Sequence, residues 1–118
     1  MKAILLALGL AVAASGAAAA QSIGGNYDVT GTGLNGAPYG GTAVITPTSQ
    51  TTCTITWKTG PQTFQGICMR NGDSFAAAYV GEGATGLVIY RLEANGTLSG
   101  MWTVANANGA GTEILTPR

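Results

Sequence analysis

The chain has 118 residues, and only five basic and five acidic side chains among them, with no histidine. So few charges leave no basic surface for a nucleic-acid backbone or an anionic membrane. Without histidine, the chain lacks the side chain that most often acts as a general base or a metal ligand near neutral pH. We therefore expect no nucleic-acid partner, no metal, no cofactor and no enzyme activity.

The beginning of the chain has the pattern of a secretory signal peptide. A lysine follows the initiator methionine, residues 3–14 are apolar, and residues 15–20 are small. These are the three parts of such a leader, and the apolar run is too short for a permanent membrane helix. We expect residues 1–20 to be removed, residues 21–118 to form a single domain, and the protein to be periplasmic or secreted without stable membrane insertion.

The rest of the chain alternates in hydrophobicity with the period of β-strands. Short apolar runs recur at intervals of about 8–12 residues between Gly-, Asn- and Pro-rich turns, a spacing typical of sandwiches and barrels. The expected strands are residues 26–32, 41–46, two arms of a hairpin within 52–69, then 74–80, 87–92, 98–104 and 112–116. Because the connections are short, consecutive strands should pair antiparallel. We predict an all-β, eight-stranded, up-and-down barrel, since closure removes the exposed sheet edges.

The hairpin at residues 52–69 contains both cysteines of the chain. Gly60 and Pro61 break the run between its two arms. If the chain turns between them, Cys53 lies opposite Cys68, close enough for a disulfide. Export would preserve this bond, which closes a loop of about 16 residues and adds roughly 3 kcal/mol of stability.

Aromatic residues are spread along the predicted strands. A barrel of eight strands either is packed solid or holds one small ligand. We expect a filled interior because large aromatic side chains supply much of a small core. The residues that could line a ligand cavity, and that we expect to fill the interior instead, are Trp57, Trp102, Tyr27, Tyr79, Tyr90, Phe64 and Phe75. Tyr39 lies beside a loop and is the aromatic residue that we expect to be exposed.

Glu113 is the acidic residue whose position is most informative. It shares strand parity with Leu115, so it points inward near one end of the barrel if Leu115 does. A half-buried carboxylate needs a partner, and the candidates are Arg70, Arg91 and a tyrosine hydroxyl. Glu113 either anchors a polar ligand or hydrogen-bonds the last strand onto the barrel, and we favour the second interpretation.

No motif in the chain indicates a catalytic site. Cysteines in a disulfide are neither nucleophiles nor ligands, and the scattered acids contain no compact pair for glycoside hydrolysis. The glycine-rich residues 81–86 lack the Gly-Lys-Ser/Thr ending of a phosphate-binding loop. Residues 71–73 have too few acids around them for a calcium loop.

Several segments resemble small exported bacterial proteins of unknown function, some of which carry a fibronectin-binding label. The segments are GNYDVTG at 25–31, YGG at 39–41, ITW at 55–57, VIY at 88–90, NGTLSGMW at 95–102 and GTE at 111–113. The Gly-x-aromatic opening and the meander more remotely resemble calycin barrels, the architecture of lipocalins and avidins. The resemblance implies an exported β-barrel, and no ligand-contacting residues can be transferred from it.

These features favour an exported, non-enzymatic binding module that recognises a protein or an envelope component through loops on a rigid barrel. The alternative is a carrier of a small apolar ligand inside the barrel, and a structural envelope protein is a third possibility. A carrier needs an internal cavity, whereas a loop binder works with a filled interior. The candidate binding residues are Tyr39, Trp57, Trp102 and Glu113.

Overall fold

The computed structural model describes residues 22–118, so the predicted signal peptide at residues 1–20 lies outside the described residues. The strands are β1 (Gly25–Thr32), β2 (Pro38–Pro47), β3 (Thr52–Thr59), β4 (Gln62–Asn71), β5 (Ser74–Gly81), β6 (Ala84–Leu92), β7 (Leu98–Val104) and β8 (Gly111–Pro117). Each strand pairs antiparallel with the next, and β8 pairs with β1 to close the barrel. The prediction of an eight-stranded up-and-down barrel is confirmed. Its bounds differ most at the starts of β2 and β6, which each begin three residues earlier than predicted.

The register of the β3–β4 hairpin is the predicted one. Cys53 pairs with Cys68, and Trp57 pairs with Phe64. The two cysteines form a disulfide, with their Cα atoms 4.9 Å apart. The disulfide prediction is therefore confirmed, and both cysteines belong to the buried core.

The half of the barrel that contains the disulfide is packed solid. Its most deeply buried large side chains come from several different strands and include Ile45, Phe75, Leu98 and Leu115, each at most 2% exposed. Ile23, just before β1, is also buried, and its carbonyl oxygen accepts a hydrogen bond of 2.6 Å from the hydroxyl of Tyr27. Burying one such apolar side chain stabilises a fold by roughly 2 kcal/mol. These buried side chains form the hydrophobic core at this end of the barrel.

The outer surface of the barrel differs from one side to the other. The outward side chains of β4–β7 include six large apolar residues, each more than half exposed: Ile67, Met69, Val80, Leu87, Ile89 and Met101. The outward positions of β1 and β3, by contrast, are rich in threonine. Hydrophobic residues thus occupy both faces of β4–β7. Within residues 22–118 no helix is long and apolar enough to cross a membrane.

Candidate functional site

The end of the barrel opposite the packed half contains a cavity of about 690 Å³. The β1–β2, β3–β4 and β5–β6 loops contribute to its lining, together with side chains that point inward from the strands. Its larger lining side chains are Leu34, Tyr39, Trp57, Phe64, Tyr79, Val88, Trp102, Val104, Glu82 and Glu113. The expectation of a filled interior therefore applies to only one half of the barrel. A volume of this size lies within the range of roughly 300–1,000 Å³ that is usual for small-molecule pockets.

Glycines in the barrel wall explain why the aromatic residues leave this space open. Three of the aromatic residues each lie opposite an inward-facing glycine of the neighbouring strand, in the pairs Tyr39–Gly31, Tyr79–Gly86 and Trp102–Gly111. A Cβ atom on any of these glycines would overlap the ring across from it. Because the glycines have no side chain, the rings lie along the wall. Space therefore remains between the rings at this end of the barrel.

Contacts between the rings hold the lining in place. Trp57 meets Tyr79 edge-on with ring centroids 5.3 Å apart, and Phe64 meets the same tyrosine at 5.9 Å. On the other side of the cavity, Tyr39 and Trp102 form a third edge contact at 6.3 Å. Each such pair adds about 0.5–1.5 kcal/mol beyond its buried area. The contacts among the lining side chains therefore form the cavity before any ligand binds.

Glu113 lies at the base of the cavity and is only 6% exposed. Its Oε2 atom accepts a hydrogen bond of 2.8 Å from the indole Nε1 of Trp57 and another from the hydroxyl of Tyr90. Its Oε1 atom accepts a hydrogen bond of 2.7 Å from the hydroxyl of Tyr39. These bonds join β8 to β2, β3 and β6 across the interior. Glu113 therefore both braces the barrel and faces the cavity.

Two partners of Glu113 are tyrosine hydroxyls, which are one of the three kinds of partner expected from the sequence. The third partner is the indole of Trp57, which was not expected. Arg91 is exposed on the outer face of β6. The guanidinium of Arg70 donates a hydrogen bond of 3.1 Å to the carbonyl oxygen of Gly72. Neutral donors thus surround the Glu113 carboxylate.

The tyrosines beside Glu113 are strongly held in their protonated form. Burial, followed by the negative charge of Glu113, raises the pKa of Tyr79 to about 12. The same two causes, in the same order, also raise the pKa of Tyr39 and of Tyr90 well above the usual value. At physiological pH these hydroxyl groups are therefore hydrogen-bond donors and carry no charge.

Alkaline pH should unfold the protein progressively because all four of its tyrosines have a raised pKa. The folded state holds these protons more tightly than the unfolded state, in which tyrosines titrate near pH 10. The stability that the tyrosines contribute should therefore be fully present below about pH 10 and should fall as the pH rises towards about 12 and beyond. Denaturant midpoints across this pH range measure the loss of stability. Tyrosinate absorbance in native and in denaturing buffer measures how the tyrosines titrate in the folded and in the unfolded state. Equal tyrosinate titrations in the two buffers would contradict it.

The structure brings all four candidate binding residues together at the cavity. Tyr39, Trp57, Trp102 and Glu113 all line it, although their role in binding stays a prediction. Tyr39 is not the exposed loop residue that the sequence suggested, because its hydroxyl is bonded to Glu113 and its ring packs on Trp102. Tyr79 was expected to fill the core, with a place in a cavity lining as the alternative, and it lines the cavity. Within the described residues, no three or more His, Cys, Asp or Glu side chains form a metal-binding group.

The fold and the cavity together define a closed, eight-stranded antiparallel β-barrel with a hollow end. No protein-family model and no curated protein matches the chain. Among solved structures, it is similar to the redesigned barrel mFAP1 bound to DFHBI, with a TM-score of 0.70 and 18% identity over 80% of this chain and 94% of that one. A fluorescence-activating β-barrel designed de novo has a TM-score of 0.71 and 15% identity over 84% and 96%. The fluorescent protein UnaG has a TM-score of 0.51 and 10% identity over 80% and 96%. At such low identities these similarities show the fold alone.

Proposed function

We propose that this protein binds a small, largely apolar molecule in the hollow end of its barrel. The observation that carries this proposal is the preformed cavity of about 690 Å³, lined by aromatic rings and containing one buried carboxylate. Small-molecule sites are typically concave and apolar, with a few placed polar groups. The similar barrel mFAP1, which is bound to DFHBI, supports the idea that this architecture accommodates a ligand.

A carrier of a small apolar ligand inside the barrel was the alternative drawn from the sequence. We prefer it to recognition of a partner by the loops. A loop binder has no need of an internal cavity, and packing a core normally closes such space. Here the glycine–aromatic pairs keep it open. Recognition of a protein or envelope component through the loops remains a separate hypothesis.

We further propose that the protein acts outside the cytoplasm and performs no chemistry on its ligand. The Cys53–Cys68 disulfide supports an oxidising compartment, periplasmic or extracellular. The chain has no histidine to act as a general base, and both of its cysteines are in the disulfide. Glu113 is held by three hydrogen bonds, which suits an anchor for a ligand.

Filling the cavity should abolish ligand binding. Both tryptophans of the chain line the cavity, so intrinsic fluorescence reports its occupancy. We expect the neutral probe N-phenyl-1-naphthylamine to quench the tryptophan fluorescence saturably, with one probe molecule bound per protein. Val104→Phe places a larger side chain in the cavity and should weaken binding by about tenfold or more.

The matched control is Val44→Phe, because Val44 is 44% exposed on the outer face of β2. This variant should bind the probe as the wild-type protein does. Absence of saturable quenching in the wild-type protein, or equal weakening by both substitutions, would overturn the proposed function.

A further inference from the structure

The hydrogen-bond donors of the tyrosines and tryptophans around the cavity are already occupied by acceptors of the protein itself. Tyr39, Trp57 and Tyr90 donate to Glu113. The hydroxyl of Tyr79 donates to the carbonyl oxygen of Thr103 at 3.1 Å. The indole of Trp102 donates to the carbonyl oxygen of Thr112 at 3.2 Å. A ligand carbonyl or carboxylate could therefore gain a bond from this cluster only by breaking one that exists.

The unused capacity at the base of the cavity is an acceptor. A carboxylate offers about four lone-pair positions, two on each oxygen. Oε2 of Glu113 accepts two hydrogen bonds, from Trp57 and Tyr90, whereas Oε1 accepts one, from Tyr39. Glu113 is 94% buried and lines the cavity. Its Oε1 atom can therefore accept one further hydrogen bond, and a ligand in the cavity is placed to donate it.

The charges of the lining favour the same kind of ligand. Two acids, Glu82 and Glu113, line the cavity, and no lysine or arginine is among its described lining residues. An anionic ligand would enter against like charge, and burial without a counter-ion would leave its charge uncompensated. A cationic nitrogen would be attracted both by the carboxylates and by the faces of the tryptophan, tyrosine and phenylalanine rings.

We propose that the cavity selects small apolar molecules that carry an N–H donor, above all protonated amines, and that Glu113 is the acceptor that selects them. The proposal rests on the proposed function, since it assumes that the cavity holds a ligand. It assigns specificity to one oxygen atom, Oε1 of Glu113. Carboxylic acids of the same shape, including fatty-acid anions, are excluded.

Three probes that share one ring system test this selection by isothermal titration calorimetry. They are 1-methylnaphthalene, 1-naphthylmethylamine and 1-naphthoate, which are neutral, cationic and anionic at neutral pH. Because a hydrogen bond to a charged group is worth about a tenfold gain or more, the amine should bind at least about tenfold tighter than the hydrocarbon. The naphthoate should bind more weakly than the hydrocarbon by a similar factor.

Glu113→Gln tests whether this residue is responsible. In this variant the amine should lose most of its advantage over the hydrocarbon, whereas the affinity for the hydrocarbon should change little. The control is Glu93→Gln, which removes the same charge from the β6–β7 loop at the opposite end of the barrel. It should keep the full preference for the amine.

The outcomes separate this proposal from the proposed function. If the hydrocarbon binds and Val104→Phe weakens its binding, the cavity is a ligand site. If the three probes nevertheless bind equally, the proposal that Glu113 selects amines is wrong. Equal loss of preference in Glu113→Gln and Glu93→Gln would also overturn the selection, because long-range charge would then be its cause. If no probe binds in the cavity, both proposals fall. Should Glu113→Gln not fold, the ranking of the three probes on the wild-type protein still decides.

Discussion

Replacing Gly41 with alanine should destabilise the barrel by about 3 kcal/mol, at the upper end of the usual cost of overpacking. A Cβ atom on Gly41 would overlap the carbonyl oxygen of Lys58 and come within 3.0 Å of the Cα atom of Thr59. Both atoms belong to the backbone of β3, which pairs with β2 at this point. A side chain can rotate away from such an overlap, but backbone in a ladder cannot, so the two strands must separate. Guanidinium unfolding monitored by tryptophan fluorescence measures the loss.

The adjacent residue provides the control for this substitution. A Cβ atom on Gly40 would have one neighbour within 4 Å, the carbonyl oxygen of Val29 at 3.4 Å. Gly40→Ala makes the same chemical change one residue away in the same strand, and it should cost less than about 1 kcal/mol. If the two variants unfold at the same denaturant concentration, close approach of the strands at Gly41 is not what requires glycine there.

The barrel itself was predictable because its signals are local in the chain. Strand alternation, turn residues and short connections set the number, order and direction of the strands. The cysteines added a register: the pairing of Cys53 with Cys68 follows from the position of the Gly60–Pro61 turn. In a meander, each strand needs only its sequence neighbours to be placed. The pairing of β8 with β1 was the one long-range contact to predict, and we expected it because closure covers the free edges of the sheet.

The cavity was not predictable from the same signals because it depends on pairs across strands. Composition gives the same aromatic count for a packed and for a hollow barrel. The difference arises where Tyr79 faces Gly86 and where Trp102 faces Gly111, and these pairs need the register. Hydrophobicity also fails to separate inside from outside in β6, where Leu87 is 60% exposed and its neighbour Val88 only 2%. A search for aromatic residues opposite glycines in the predicted hairpins would have found the pairs of the open end, together with Tyr90 opposite Gly100.

The site around Glu113 was half predictable for a related reason. Strand parity correctly placed the carboxylate inside the barrel with Leu115. Its partners, however, come from strands that are distant in sequence, with Trp57 separated from it by 56 residues and Tyr39 by 74. Only the closed barrel brings them together. Strand parity can therefore identify a buried acid and suggest a tyrosine hydroxyl as one candidate partner, but it could not identify which residues donate to the carboxylate.

Replacing Glu113 with leucine should destabilise the protein by roughly 2–3 kcal/mol, although the change removes a buried charge. The indole of Trp57 and the hydroxyl of Tyr90 would lose their acceptor in a buried position, and an unsatisfied buried donor costs about 1–3 kcal/mol. Relief of the carboxylate's desolvation offsets part of this cost. Urea unfolding at neutral pH measures the net effect.

A double-mutant cycle with Tyr90→Phe shows whether the lost acceptor is the cause. Because Tyr90 needs no partner once its hydroxyl is gone, Glu113→Leu combined with Tyr90→Phe should cost about 1 kcal/mol less than the sum of the single changes. The matched control is Tyr27→Phe, since the hydroxyl of Tyr27 is bonded to the carbonyl oxygen of Ile23 and not to Glu113. That pair should be additive within about 0.5 kcal/mol. Additivity in both cycles would mean that Glu113 stabilises the barrel without the hydrogen bond to Tyr90. Coupling confined to Tyr90 would establish the carboxylate as the acceptor that joins β8 to β6 across the base of the cavity.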